Sequence, residues 1–586
     1  MSEADPTAMS AATTTPSAVP DEHTIQPIPT VWDILVAKDF FSIEAKMVIS
    51  AILIIYVGAH ASLRRPPSAA PPAKLKRKDG KLVVDDEKEH FAQGFQATDA
   101  IVFPFIAATV LIGLYYLIKW LQDPAILNKI LRLYMAMTGV LSIGVFFGDG
   151  FQFVLNLVSP DYWSDRSGRV FEIDPASRSH KLLKAPREDG SEKEADPKKR
   201  LPLPGFASEL NVSTAFRKSA WVVRHFLKES CVLKIVVPGD GFTGEVKITS
   251  IVGFVLGCVV EALYLYTEST MLSNIIGLSV CYMAFNWMSV TSFSIGTMVL
   301  VGLFFYDIIM VFYTPFMVAV ATQVDAPLKL TYEAAGRSSL LGLGDIVIPG
   351  IFICLALRFD LWRHYQRKVT RVQEDLKTVT QENNQDNVTA AENATAGEKT
   401  TVQTAYRTVK APFVDPRGQW GNCLWTTSPR DLVSGRPAVK ALSDADFPKT
   451  YFRVTLLGYL IGMLATLCVL IIFKQGQPAL LYLVPGVAGS AWLTGLVRGD
   501  LKEMWDYTED GSLDVEDVVV EVDGEGNVIE KKKESGSKKD ADKEKEEDMA
   551  KKKEDENKSN AKDDKNGYEL FAFSITVPKE DSLKED

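Results

Sequence analysis

Long apolar runs alternate with charged stretches along this chain, and that segregation constrains the fold more than any other feature. Of the 586 residues, 47% are hydrophobic, and these are concentrated in runs instead of being mixed with polar residues. A bilayer core about 30 Å thick is crossed by a helix of roughly 20 apolar residues. The segregation therefore predicts an all-α polytopic membrane protein in which each long apolar run is one membrane-spanning helix.

Nine apolar runs are candidate spans. They comprise residues 47–63, 100–118, 133–158, 248–266, 272–287, 293–314, 340–357, 454–473 and 478–497. The fifth run is short and the third is long, so topologies with eight or ten spans are the alternatives.

Basic residues are concentrated after the first, third, seventh and ninth predicted spans. Arg64 and Arg65 follow the first, Arg358 follows the seventh and Arg498 follows the ninth. Because Lys and Arg are enriched in cytoplasmic loops, this pattern predicts a non-cytoplasmic N-terminus and a cytoplasmic C-terminus. Four N-x-[ST] sequons would then be cytoplasmic and unglycosylated: those of Asn211, Asn387, Asn393 and Asn557.

The spans divide the chain into seven expected segments. These are a disordered non-cytoplasmic N-terminus (1–42), spans 1–3 (43–158), a cytoplasmic loop (159–247), spans 4–7 (248–358), a second cytoplasmic loop (359–453), spans 8 and 9 (454–498) and a charged, disordered cytoplasmic tail (499–586). The N-terminus lacks a basic region followed by an apolar core, so we expect no cleaved signal peptide and an uncleaved signal anchor in span 1. Residues 373–401 and the Lys/Glu-rich tail are too polar to form a core; a transient single helix is the alternative for the tail.

Several common site chemistries find no support in the sequence. The six cysteines form no CxxC pair, so neither a disulfide framework nor a zinc site is indicated. The six histidines form no HExxH pair, which argues against a zinc protease. We therefore expect no cofactor and no metal.

Two aspartates, Asp307 and Asp345, lie inside the sixth and seventh predicted spans. An intramembrane carboxylate costs at least ~2.5–3.5 kcal/mol, so it is retained for a packing or a functional reason. Asp307 lies seven residues before Thr314 and Asp345 lies five residues after Leu340. In antiparallel neighbouring helices both would be about 8–11 Å from the same, non-cytoplasmic ends. The matched depth predicts that the two carboxylates face each other.

Two other acidic residues in apolar runs fit simpler explanations. Glu261, near the end of the fourth span, is expected to be a helix-end residue or a hydrogen-bonded packing contact. Asp149 is deeper, and a functional role for it is an open alternative.

Facing carboxylates have a defined chemical use. Two carboxyl groups about 3 Å apart cannot both ionise cheaply and therefore share a proton. The ionised group can take a proton from water while the protonated group donates to a peptide carbonyl. Acid and base roles belong to the pair, so they are not assigned to Asp307 or Asp345 individually.

Glycines next to Asp345 are compatible with a site. Gly342 and Gly344 weaken the helix and let another backbone approach, although small-residue helix packing needs glycine equally. We expect Gly344 to lie where added bulk would separate the carboxylates, and Leu343 to line the pocket.

Three motifs resemble those of signal peptide peptidase, the presenilin-related GxGD intramembrane aspartyl protease family. They lie within "FFYDIIMVFYTPFMVAVATQVDAPLKL", "LLGLGDIVIPGIFICLALRFD" and "QPALLYLVP". The matching residues are Tyr306-Asp307, Gly342-Leu343-Gly344-Asp345 and Pro478-Ala479-Leu480. The resemblance covers roughly residues 245–360 and 450–500. It implies nine spans, a lumenal N-terminus, catalytic Asp307 and Asp345, and a Pro478-Ala479-Leu480 segment that forms one wall of the active site.

The resemblance also implies a function and a place in the cell. It predicts cleavage of remnant signal peptides and of type II-oriented or tail-anchored segments in the endoplasmic reticulum membrane. The expected partners are membrane-embedded peptides and the lipid bilayer, with a homo-oligomer or endoplasmic-reticulum degradation partners as further alternatives, and no nucleic acid. Two rival functions are a transporter or ion channel, whose carboxylates would relay protons or cations, and a catalytically inert chaperone for membrane helices.

Overall fold

The computed structural model describes most of the apolar part of the chain and sections of its loops. The described residues are 38–70, 75–78, 81–84, 94–121, 124–165, 169–175, 177–184, 199–228, 230–237, 240–323, 329–334, 337–375, 404–426, 446–473, 477–509, 513 and 572–576. Disorder was predicted for residues 1–42, 373–401 and the tail; of these, 1–37, 376–401 and most of the tail lie outside the described residues, as do the sequons of Asn387, Asn393 and Asn557. Residues 38–42 are helical and 373–375 belong to a strand, which corrects those predictions at their edges. Asn211 is described, and its side chain is exposed.

Helices dominate the described residues. They are α1 (Lys38–Ala61), α2 (Ala97–Leu121), α3 (Pro124–Val158), α4 (Thr214–Lys228), α5 (Ile248–Thr267), α6 (Thr270–Trp287), α7 (Phe293–Ile308), α8 (Phe316–Gln323), α9 (Leu343–Gln366), α10 (Trp420–Thr426), α11 (Thr450–Phe473), α12 (Leu480–Arg498) and α13 (Leu501–Asp506). A π-helical turn, Ile309–Tyr313, continues α7, and a 3-10 helix spans Gly205–Glu209.

Each of the nine predicted spans coincides with a helix, namely α1, α2, α3, α5, α6, α7, α9, α11 and α12. By length and composition, 7 helices of the described residues are apolar enough to cross a membrane. The other two are α6, whose 18 residues include the polar Asn274 and Asn286, and α9, whose second half carries charged residues. The protein is therefore mostly helical and polytopic.

Three predicted span boundaries are wrong. The third span was expected to begin at residue 133, but α3 already begins at Pro124. The seventh was expected to cover 340–357, but α9 covers Leu343–Gln366, because residues 337–342 form a strand. The first was expected to begin at residue 47, but α1 already begins at Lys38. The sixth, expected to end at residue 314, is confirmed to within one residue, because the π-helical turn continues α7 to Tyr313.

The prediction of an all-α chain is wrong for the loops, which contain short antiparallel strands. They are β1 (Leu75–Lys78), β2 (Lys81–Val84), β3 (Tyr162–Ser164), β4 (Val170–Asp174), β5 (Ser179–Lys184), β6 (Ser230–Val237), β7 (Asp240–Lys247), β8 (Lys329–Ala334), β9 (Arg337–Gly342), β10 (Thr370–Asp375), β11 (Thr404–Val409) and β12 (Ala572–Thr576). The sheets have the orders β1-β2, β10-β11, β12-β6-β7, β3-β4-β5 and β8-β9. Val- and Ile-rich segments such as β6 favour strands even in a mostly helical chain.

The tail prediction also needs correction. Within the segment expected to be disordered from residue 499, Leu501–Asp506 is helical and Ala572–Thr576 pairs with β6. Tyr507 is only 1% exposed and belongs to the main hydrophobic core. A tail residue with a buried aromatic ring is part of the folded structure.

Helix α9 lies at the centre of the core. All of residues 349–362 are buried, and α9 contacts α1, α6, α7, α11 and α12. In contrast, only 6% of the apolar window of α2 is buried inside the protein, and large apolar side chains such as Phe105, Leu133 and Val255 are exposed on α2, α3 and α5. Exposed apolar helix faces of this kind are expected where a protein meets lipid.

Candidate active site

Asp307 lies where α7 loses its regular hydrogen bonding. It is the penultimate residue of α7, it is 4% exposed, and the π-helical turn begins two residues later. A π-helical turn widens the backbone ring and is frequent at functional sites. Asp307 is therefore a buried carboxylate beside an irregular backbone segment.

Asp345 lies at the start of α9, in its first turn. The helix begins at Leu343 after strand β9 ends at Gly342, so Asp345 is the third helical residue and not the sixth residue of a longer helix. Gly342 is the N-cap, with an extended backbone (φ −64, ψ 138). Both aspartates thus lie at breaks in regular helices, and backbone irregularity in a membrane is tolerated only inside protein or beside a cavity.

The third motif provides a direct partner for Asp307. The Leu480 N–H donates a hydrogen bond of 3.0 Å to Asp307 Oδ2, and Leu480 is the first residue of α12. The N–H groups in the first turn of a helix have no partner within the helix, and the helix dipole favours a negative charge there. The Pro478-Ala479-Leu480 segment therefore orients the Asp307 carboxylate through a backbone amide.

The helices that carry the two carboxylates are neighbours. Helices α7 and α9 contact each other, and both contact α12. The facing of Asp307 and Asp345 across α7 and α9 stays a prediction.

Gly342, more than Gly344, is the glycine that the site requires. A Cβ at Gly342 would lie 3.3 Å from Asp345 Oδ2, which is a tight contact. A Cβ at Gly344 would meet only Ile348 Cδ1, at 3.8 Å, and Gly344 is exposed. A small side chain at Gly344 therefore has room, and the expectation that a bulky one would separate the carboxylates stays a prediction.

The other predicted site residues occupy different surroundings. Leu343, expected to line the pocket, is only 6% exposed and packs against α6 at Gly277, so its side chain belongs to the core. Tyr306 is partly buried and packs against the main core. Pro478 is buried and Ala479 is partly buried, directly before the Leu480 amide.

Two contacts near the aspartates were missed by the sequence reasoning. The hydroxyl of Tyr459 on α11 donates to the backbone oxygen of Asp345 at 3.4 Å. Asn274 on α6 binds strand β8: its Nδ2 donates to Thr331 O at 2.7 Å, and its Oδ1 accepts from Thr331 N at 2.8 Å. A polar amide near the start of an apolar helix was a signal that could have drawn attention to Asn274.

Of the two other intramembrane acidic residues, Asp149 has a hydrogen-bond partner and Glu261 has none among the described residues. Asp149 Oδ2 accepts a hydrogen bond of 2.7 Å from the Tyr282 hydroxyl, which makes it a packing contact between α3 and α6. Glu261 is 3% exposed, and neither carboxylate oxygen has a hydrogen-bond partner among the described residues. It lies against Gly139 of α3, so it is not the hydrogen-bonded contact that we expected.

The end of α9 remote from Asp345 is anchored by a buried ionic cluster. Arg358 Nε donates to Glu509 Oε1 at 2.7 Å, Arg64 pairs with the other carboxylate oxygen, and the Tyr507 hydroxyl donates to Oε1 at 2.7 Å. Burial alone would raise the pKa of Glu509, but the charges of Arg358 and Arg64 outweigh it and lower that pKa from 4.5 to about 2. The tail thus supplies the counter-ion for a buried arginine of the central helix.

Comparisons with known proteins agree with the three motifs. Residues 87–511 match a family described as signal peptide peptidase. "Intramembrane protease 2" of Caenorhabditis elegans is 32% identical over 260 residues, which are 43% of this chain and 41% of that protein. "Signal peptide peptidase" of Mus musculus is 29% identical over 267 residues, 44% of this chain and 49% of that protein. A probable intramembrane protease of Saccharomyces cerevisiae is 22% identical over 516 residues, 80% of this chain and 73% of that protein. The chain thus spans less than half the length of the first two relatives.

Proposed function

The chain belongs to the signal peptide peptidase family, and we propose that it hydrolyses peptide bonds within membrane-spanning helices, with Asp307 and Asp345 as the catalytic pair. The resemblance inferred from the motifs is confirmed by the family match over residues 87–511. The observation that carries the proposal is the buried Asp307 carboxylate, held at 3.0 Å by the Leu480 amide on a helix pair that contacts α9, the helix of Asp345. Three separate family motifs meet at this point.

The proposed mechanism uses one proton shared by the pair. The ionised carboxylate takes a proton from water, whose oxygen attacks the scissile carbonyl carbon, while the protonated carboxyl donates its proton to the carbonyl oxygen. In the resulting gem-diol state the two carboxyl groups have exchanged roles. The newly protonated one gives its proton to the amide nitrogen while the ionised one takes a proton from a gem-diol hydroxyl, so the C–N bond breaks, a carboxylic acid forms and the pair again holds one proton. The Leu480 N–H keeps Asp307 oriented throughout, because it binds Oδ2 without taking part in proton transfer.

A helical substrate must unwind first, and strand β9 offers a place for the extended chain. Asn274 bonds both backbone groups of Thr331, so those groups point away from β9. Thr331 is paired with Leu340 across the hairpin. In an antiparallel ladder, two opposite residues either bond to each other or both direct their backbone groups outward. Because Thr331 directs its groups outward, Leu340 presents its N–H and C=O on the outer edge of β9. Outward-pointing residues alternate along a strand, so Gly342, two residues after Leu340, also presents its backbone groups on the outer edge. A substrate strand added to this edge would run beside Asp345, and its peptide bonds would pass the catalytic aspartates.

Pairing at β9 is tested by removing one outward N–H. Leu340→Pro deletes the donor on the free edge, where proline is tolerated because the hairpin does not use that N–H. We expect cleavage to fall at least tenfold, whereas Leu340→Ala, which keeps the backbone donor, stays within about threefold of the parent. Cleavage by Leu340→Pro at the parental rate, with the fold intact, would exclude substrate pairing at this edge.

The catalytic pair is tested with purified protein in detergent and a labelled signal-sequence peptide. Asp307→Asn and Asp345→Asn should each abolish cleavage within the apolar stretch, while expression is little changed. Asp149→Asn is the matched control, because it converts another intramembrane carboxylate whose partner is the Tyr282 hydroxyl. We expect a bell-shaped pH–rate profile from the pair. Near-normal turnover in either active-site variant would refute the shared-proton mechanism.

The proposed substrates are remnant signal peptides and type II-oriented or tail-anchored segments in the endoplasmic reticulum membrane. Support comes from the family, from the positions of Lys and Arg, and from the correspondence of nine apolar runs with helices. A nine-span topology with a lumenal N-terminus places both aspartates near the lumenal ends of their helices. A homo-oligomer or degradation factors of the endoplasmic reticulum are the further partners that the proposal allows.

A further inference from the structure

Helix α4, Thr214–Lys228, has one face that is packed into the loop between α3 and α5. Trp221 and Arg224 are buried on this face. The Trp221 indole donates to Arg200 O at 3.0 Å, and the Arg224 guanidinium donates to Ser159 Oγ at 2.8 Å and to Asp161 Oδ1 at 2.8 Å. These contacts fix the helix in position and in rotation about its axis.

The opposite face of α4 is largely apolar and exposed. Its large side chains are Phe216, Val222, Val223 and Phe226, with exposed fractions of 59%, 48%, 53% and 40%. At about 100° per residue they lie within an arc of about 120°, together with the small exposed residues Ala215 and Ser219. An apolar stripe of this width normally faces a core, yet the described residues leave it uncovered.

The position of α4 indicates what covers this stripe. Arg224 is bound to Ser159 and Asp161, and α3 ends at Val158. Helix α4 also contacts α5, which begins at Ile248. Two membrane-spanning helices therefore end beside α4, which places it at the level of the bilayer surface whichever side of the membrane that is.

The neighbouring surface and the charge of α4 both suit lipid. Val154 and Val158 on the last turns of α3 are about half exposed, as expected for a lipid-facing helix. The sequence of α4 contains basic residues and no Asp or Glu, and Lys218 is exposed beside the stripe. Amphipathic helices with this charge pattern lie in the membrane interface, where the cations meet anionic headgroups.

We propose that α4 is an interfacial helix, whose stripe of Phe216, Val222, Val223 and Phe226 inserts between the lipids while Lys218 contacts their headgroups. The occupant of the stripe is thus the bilayer in which the protein already sits. A second copy of the chain is disfavoured, because one face of a helix about 22 Å long is small beside the ~1,200–2,000 Å² of a stable protein interface. The proposal is independent of the protease reaction.

The test compares two positions on α4 in the full chain, reconstituted in lipid nanodiscs. Val223→Cys and Thr214→Cys carry a bimane fluorophore in a background where the exposed Cys258, Cys423 and Cys468 are replaced by alanine. Both sites are exposed, and nine residues of helix place them about 180° apart. Lipids with a doxyl group near the headgroup should quench the Val223 label at least threefold more than the Thr214 label. Aqueous iodide should show the reverse order.

Two results would overturn the proposal. Iodide quenching of the Val223 label equal to that of the Thr214 label, without extra doxyl quenching, would place the stripe in water. Protection of the Val223 label from both quenchers would mean that protein covers it. Replacing part of the neutral lipid by phosphatidylglycerol should strengthen doxyl quenching at Val223, and Lys218→Gln should reduce that gain. An unchanged response would exclude the headgroup contact.

Discussion

Glu509→Gln is expected to weaken the anchoring of the central helix severely. Glu509 is 4% exposed and is the counter-ion of Arg358, which is 3% exposed. Glutamine keeps the size of the side chain but removes the charge, so Arg358 stays buried without compensation. Breaking a buried pair by neutralising one partner typically costs about 3–5 kcal/mol.

The lowered pKa of Glu509 gives a second route to the magnitude. A fall from 4.5 to about 2 is about 2.5 pKa units, which corresponds to about 3 kcal/mol of folding free energy at neutral pH. Because the folded-state pKa is the lower one, this contribution is complete above about pH 4.5 and is lost as the pH falls towards 2. At pH 3 it should be less than half of its value at pH 7.

The assay is thermal unfolding of the purified protein in detergent at pH 7 and at pH 3. At pH 7, Glu509→Gln should lower Tm by on the order of 2–4 °C, and the difference from the parent should shrink by more than half at pH 3. Glu503→Gln is the control, because Glu503 also pairs with an arginine, Arg363, but its side chain is 48% exposed. An exposed pair of this kind is worth about 1 kcal/mol or less. Equal Tm values for the Glu509 and Glu503 variants, or a pH-independent difference for Glu509→Gln, would refute the reasoning.

Three further predictions concern the site and the topology. Gly342→Ala should lower kcat several-fold by displacing the Asp345 carboxylate by a few tenths of an ångström, while Gly344→Ala should stay within about twofold; equal effects would contradict the role given to Gly342. Asn274→Ala should loosen the β8–β9 hairpin, raise its amide hydrogen exchange and lower kcat/KM, while Tm changes little; unchanged exchange would contradict this prediction. Asn211 should be unglycosylated, so a mobility shift after glycosidase treatment would contradict its cytoplasmic placement.

Much of the site was predictable because its motifs are short and local. Asp307 and Asp345 are intramembrane carboxylates, and such residues are too costly to be retained without a reason. Hydrophobic runs likewise predicted helices at all nine positions, since a segment of about 20 apolar residues has few other stable structures in lipid. The boundary at Leu343 was missed, because hydropathy does not distinguish the apolar end of a strand such as β9 from the start of a helix.

The contacts that organise the site were decided only by the tertiary structure. Leu480 and Asp307 are 173 residues apart, and Glu509 and Arg358 are 151 residues apart. The motif predicted that Leu480 lies near the site, but not that its backbone N–H binds Asp307, since every residue except proline has that group. In the same way, Glu509 resembles the many other acidic residues of a charged tail until the fold buries it beside Arg358. The sequence determined which segments enter the membrane, because the free energy of inserting a segment depends on that segment's own residues. The packing of distant helices determined which polar groups are paired, because a buried charge is stable only where the fold places a partner beside it.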